Sequence, residues 1–127
     1  MAVIRVAAAV VARDGRLLVT RRPEGAHLEG LWEFPGGKCE PGESIHACLV
    51  LEVREELGVT AHAGETLLVT THAYPGKTVE LHFVACALDG DPVPQQGQQM
   101  QWIERSRLDA LEFPAADAAL IEQLRRT

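Results

Sequence analysis

The chain has 127 residues, which sets an expectation of one domain over residues 1–127 and suffices to bury roughly two-thirds of the unfolded surface. A hydrophobic fraction of 46% fits a folded protein; a net charge of −6 argues against a general nucleic-acid surface but admits a small phosphorylated substrate that brings its own cation. Three cysteines (Cys39, Cys48, Cys86) with no C-x-x-C pair argue against a disulfide framework or a zinc site, and for a reducing cytoplasm.

Residues 3–12 are rich in valine and alanine and predict a central strand. The apolar start lacks a cationic leader region, and no run approaches the ~18 apolar residues that span a bilayer. Asp14 and Gly15 are a hairpin signal, so residues 16–20 form the returning strand. Residues 21–30 read as a loop broken by Pro23, Gly25 and Gly30, with His27 as a loop hydrogen-bonding group. A short apolar piece, 31–34, runs into Pro35, Gly36 and Gly37, where adjacent glycines permit sharp turns and close approach of backbone to a ligand.

Residues 44–57 have a helical pattern, with Ser44 as the expected N-cap and Gly58 as the terminator. Apolar residues nearly encircle this helix, which predicts a mostly buried one. Residues 65–74 and 77–88 read as strands joined at Pro75 and Gly76. Residues 89–99 read as a polar loop, 100–103 as a last strand and 105–111 as a helical turn. A final helix carries the apolar stripe Leu120, Ile121 and Leu124. Strands mixed with separated helices imply an α/β layered domain.

The expected helix carries Glu52, Glu55 and Glu56, spaced so that one face holds three carboxylates. Packing alone gives no reason to gather three anions. A hard divalent cation, Mg2+ or Mn2+, supplies one, because it takes oxygen ligands and neutralises the cluster.

Gly37, then Glu43, then Glu52-Val53, Glu55-Glu56 and Gly58-Val59 resemble the Nudix box at every specified position but one, where Leu51 stands in place of the box arginine. The flanking stretches RRPEGAHLEGLWEFPGGK and EFPAADAALIEQL resemble the MutT-type nucleoside triphosphate pyrophosphohydrolases and the related (d)CTP pyrophosphatases. The resemblance implies a Nudix-type α/β/α sandwich, with a mixed β-sheet between helices. It also implies Mg2+-dependent hydrolysis of a (deoxy)nucleoside triphosphate to the monophosphate and pyrophosphate.

The same resemblance assigns roles. Glu52, Glu55, Glu56 and the Gly36 carbonyl correspond to the metal ligands. Glu52 corresponds to the MutT-type general base, and Glu43 to a residue that orients the helix glutamates or binds metal through water. Arg22 corresponds to a phosphate-side position, while Phe34 and Asp117 correspond to nucleobase contacts. An ionised Asp117 only accepts hydrogen bonds, which favours the cytosine amino group or the guanine N1–H and 2-amino pair. The expected partner is a small nucleotide, with no nucleic-acid polymer and no membrane, and the chain acts as a monomer or homodimer.

Leu51 removes a cation that the family uses to orient its glutamates. Gln96, six residues before Trp102, stands where relatives often carry a glutamate. Two further readings therefore stay open: a weakened domain that binds nucleotide or metal without turnover, and a hydrolase of another nucleoside diphosphate derivative.

Overall fold

The computed structural model describes residues 2–26 and 29–126; His27 lies outside the described residues. In chain order the strands are β1 (Ala2–Val10), β2 (Ala12–Arg13), β3 (Arg16–Arg21), β4 (Trp32–Glu33), β5 (Gly36–Lys38), β6 (Thr60–Tyr74), β7 (Lys77–Asp89) and β8 (Gln99–Glu104). Helix α1 (Ile45–Leu57) follows β5, and helix α2 (Ala118–Arg125) closes the described chain after two 3-10 segments, Arg105–Ala110 and Ala115–Asp117.

The strands form two sheets of four. One has the order β5-β1-β7-β6, with β1 and β7 parallel and the other pairs antiparallel. In the other, β8 runs along the whole of β3, so β2 and β4 share the opposite edge of β3 at its two ends. The expected mixed sheet is therefore present, divided in two. Asp14 and Gly15 both adopt positive φ (51° and 76°), the geometry a two-residue hairpin turn demands.

Alternation along the strands divides the core. Ala7 and Ala9 of β1 and Leu18 of β3 face α1, where they meet Leu49, Val53 and Leu57. Ala8 and Val10 of β1 and Leu17 and Val19 of β3 face the other way, onto Leu120 and Leu124 of α2. The strands therefore lie between helices, as the α/β/α expectation requires.

Three expectations change. Helix α1 buries one stripe (Cys48, Leu49, Val53, Leu57) and leaves Leu51 47% exposed, because it packs on one side and, among the described residues, none covers its outer face. Gly36–Lys38 is a strand rather than a turn, since it pairs antiparallel with Val6–Ala8 of β1. Cys39 and Cys48 form a disulfide with Cα atoms 5.3 Å apart, leaving Cys86 as a free cysteine among the described residues. The cysteine count misled because the end of β5 and the first turns of α1 converge, although nine positions separate them in sequence. No helix among the described residues is long and apolar enough to cross a membrane.

Candidate active site

The site is built on the two ends of one segment, the strand β5 and the helix α1. Ser44 caps the helix by accepting a hydrogen bond from the Ala47 N–H at 3.1 Å. At the other end Gly58 adopts φ 63°, and its N–H donates to the Arg54 carbonyl at 2.9 Å. The caps fix the length of the helix and hence the placement of its glutamates.

Glu52 lies directly over the strand. A Cβ on Gly37 would stand 2.5 Å from Glu52 Oε2, so only glycine allows this approach. Glu56 is half-buried beside the neighbouring residue, and its Oε2 accepts from the Gly36 N–H at 3.4 Å. Glu55 is exposed at the rim. Glu43 stands in the turn before the helix, where its Oε1 accepts from the Glu40 N–H at 2.9 Å. The structure thus brings Glu43, Glu52, Glu55 and Glu56 to one side of the glycine strand.

The electrostatics agree with that crowding. Burial, then the charges of Glu55, Glu43 and Glu40, push the Glu52 carboxyl above its ordinary value. Glu56 is pushed up to about 8, first by burial and then by Glu33, with Glu52 adding a smaller push; the Gly36 N–H and Arg22 act in the opposite sense. An oxygen-rich anionic cluster held in this way fits a hard divalent cation, whose charge would reverse the upward push. Gly36 meets Glu56 through its amide N–H, a contact that orients the carboxylate.

A second group of residues lies alongside. Arg22 pairs with Glu33 at 2.7 Å, both side chains being about one-third exposed. Asp117 is 7% exposed, and its carboxyl rises to about 7 through burial and the Glu33 charge. Its side chain makes no capping hydrogen bond at the start of α2, so helix capping does not occupy it. Because Asp117 sits near neutrality, the premise of a permanently ionised carboxylate does not hold. Phe34 is 4% exposed, packed edge-on against Phe83 and stacked on Phe113 with ring centroids 5.5 Å apart. It belongs to the core, and the half-buried Phe113 is the more accessible ring of the stack.

In the loop before β8, Gln96 is exposed, whereas Gln98 reaches the helix end, donating from Nε2 to the Glu56 carbonyl at 3.2 Å. The Gln95 N–H donates to the same carbonyl at 2.8 Å. Leu51 faces outward beside His46 and His62 and brings no charge to the glutamates.

Sequence reasoning missed two contributors. Glu33 acts on both Glu56 and Asp117, and its signal was a charged residue inside the apolar run Leu31–Phe34 written as LWEF. Arg5 donates to the Glu43 carbonyl at 2.6 Å and the Glu40 carbonyl at 3.2 Å, clamping the turn before the helix. Its signal was a lone cation in an otherwise apolar strand.

The family model for the NUDIX domain matches residues 6–123. The CTP pyrophosphohydrolase of Escherichia coli (strain K12) is 39% identical over 119 residues, covering 93% of this chain and 87% of that protein. An 8-oxo-dGTP diphosphatase of Haemophilus influenzae is 36% identical over 124 residues, covering 96% of this chain and 91% of its own length. The solution structure of the E. coli ORF135 protein superposes with a TM-score of 0.87 at 36% identity, covering 96% of this chain and 88% of that one. Sequence match, superposition and the glutamate cluster on α1 agree, and the chain belongs to the Nudix hydrolase family.

Proposed function

We propose that this chain hydrolyses a (deoxy)nucleoside triphosphate, of the 8-oxo-dGTP/dGTP or (d)CTP type, to the monophosphate and pyrophosphate. We further propose that it does so in the cytoplasm and depends on Mg2+, with Mn2+ as a substitute. The observation that carries the reading is the convergence of Glu43, Glu52, Glu55 and Glu56 on the glycine strand β5. The names of the two curated relatives support both base classes.

Glu52, Glu55, Glu56 and the Gly36 carbonyl would hold the cation. Bound there, it screens the polyphosphate charge and makes a water easier to deprotonate. Glu52 accepts that proton, from its position directly over Gly37 of the strand. Glu43, fixed by the Glu40 N–H and the Arg5 clamp on its turn, keeps the helix glutamates in register. Arg22 lies at the phosphate side and is steadied by Glu33, an arrangement that pre-orients a guanidinium for bidentate contact. Asp117 reads the base edge, while Phe34 supports the Phe113 ring beside it.

Incubation with each dNTP, CTP, 8-oxo-dGTP and 5-methyl-dCTP, in Mg2+ and in Mn2+, tests the reading. Monophosphate and pyrophosphate are expected from at least one; neither product from any of them would sink it. A second reading, nucleotide binding without turnover, draws on the uncharged Leu51 in place of the orienting cation. Calorimetric binding with no product would favour it. Restoring the cation with Leu51→Arg is expected to raise kcat by about 10- to 100-fold, the usual weight of a supporting contact at a metal site.

A further inference from the structure

We propose that Cys39, Glu43 and Cys48 form a second cation site, selective for a soft divalent ion of the Zn2+ class, when the Cys39–Cys48 disulfide is reduced. The ligand atoms of these three side chains all lie within 4.8 Å of one another. Tetrahedral zinc sites place two sulfurs roughly 3.8 Å apart, given zinc–sulfur bonds of about 2.3 Å. Opening the disulfide to that spacing asks only for a small side-chain movement. Two thiolates and one carboxylate are three protein ligands, and a water completes the tetrahedron.

The frame around the three donors does not depend on the disulfide. The Cys39 N–H donates to the Arg5 carbonyl at 2.9 Å, tying that residue to β1. The Arg5 guanidinium holds the carbonyls of Glu40 and Glu43, so the intervening turn is clamped from the same strand. Cys48 is buried in the first turns of α1, where its N–H donates to the Ser44 carbonyl at 2.9 Å. The Glu43 carboxylate is oriented by the Glu40 N–H, which donates to its Oε1 at 2.9 Å. Breaking the sulfur–sulfur bond therefore leaves three donors placed by hydrogen bonds.

The chemistry balances with a small-molecule thiol as reductant. Two reductant thiols become one reductant disulfide, and the protein disulfide becomes two thiols. The cation then displaces both thiol protons and forms two metal–sulfur bonds, with Glu43 adding an oxygen ligand. Thiolates select soft ions, whereas the all-oxygen set of Glu52, Glu55 and Glu56 selects hard ones, so the two sites sort different cations. They share one element, because Glu43 serves the helix glutamates in one state and the soft ion in the other.

Cobalt is the probe, since a thiolate ligand gives it an intense charge-transfer absorption that carboxylates do not. The full chain is reduced with a phosphine, desalted without oxygen and titrated with Co2+ in excess Mg2+, with no turnover needed. The reduced protein is expected to develop the band at one equivalent and lose it to one equivalent of Zn2+, and the disulfide form is expected to show none. Cys39→Ser should abolish the band, Cys86→Ser should leave it, and Glu43→Gln should weaken Co2+ binding by about 10- to 100-fold. Absence of the band in reduced wild-type protein overturns the proposal, as does a band that survives Cys39→Ser. The contrast between reduced and oxidised wild type uses no variant, so a substitution that impairs folding does not blunt the test.

Discussion

Near neutral pH the Asp117 carboxyl divides between two hydrogen-bonding identities, because burial and Glu33 hold it at about 7. Protonated, it donates one hydrogen bond and accepts another, which matches N3 and the amino group of cytosine. Ionised, it accepts two, which matches N1–H and the 2-amino group of guanine. If Asp117 reads the base, the kcat/KM ratio of dCTP to dGTP falls as pH rises from 6 to 8, by on the order of 10- to 100-fold. Asp117→Asn fixes one donor and one acceptor at every pH, so the ratio becomes flat. A ratio in wild-type protein that ignores pH would remove Asp117 from base selection. This pKa was not legible along the chain: Glu33 and Asp117 are far apart in it, and only folding brings them within each other's field.

At the scale of the elements, the two glycines of β5 do different work, and alanine separates them. A Cβ on Gly36 would stand 1.9 Å from the Ala7 carbonyl oxygen, which is backbone in the neighbouring strand and cannot yield. Gly36→Ala is therefore expected to destabilise by on the order of 3 kcal/mol, read by urea unfolding. The atoms nearest a Cβ on Gly37 belong to the flexible tip of Glu52. Gly37→Ala should cost within about 1 kcal/mol of stability yet cut kcat by about 10-fold or more, because the displaced group is the proposed base. Equal stability losses in the two variants would contradict this division. The helix boundaries were legible because Ser44 and Gly58 carry local signals that act within four residues. The strand β5 was not legible, since two glycines announce a turn and only pairing with β1 makes them a strand. The outward face of α1 was misjudged for a related reason: a ring of apolar residues says nothing about how many sides have a neighbour.

Across the whole molecule, the metal-free protein binds more protons folded than unfolded. Glu56 rises from 4.5 to about 8 and Asp117 from 3.8 to about 7. A group raised in this way favours the folded state fully below its unfolded pKa, and that benefit is lost as pH rises through the folded value. Stability in a chelator should therefore fall between about pH 4 and pH 8, by up to about 4 kcal/mol for each group. Added Mg2+ should restore the Glu56 share at the alkaline end, where that carboxylate is free to bind it, and leave the Asp117 share. Denaturant unfolding at pH 5 and pH 8, with and without Mg2+, reads both trends; stability that rises with pH in chelator would refute them. The layered α/β architecture was visible from strand and helix order, but the division into two sheets was not, because nothing local says that the chain changes partner sheet. The chain changes sheet between β1 and β2, between β4 and β5 and between β7 and β8, and the β4–β5 crossing runs across only Phe34 and Pro35, both buried. The crossing has no slack. It ties Glu33, whose charge acts on both Glu56 and Asp117, to Gly36, whose N–H donates to Glu56, so one short joint sets both the charge and the hydrogen bond that Glu56 meets. Inserting a residue into the crossing would move Glu33 relative to Gly36 and so change the field that Glu56 and Asp117 share, with the box residues untouched.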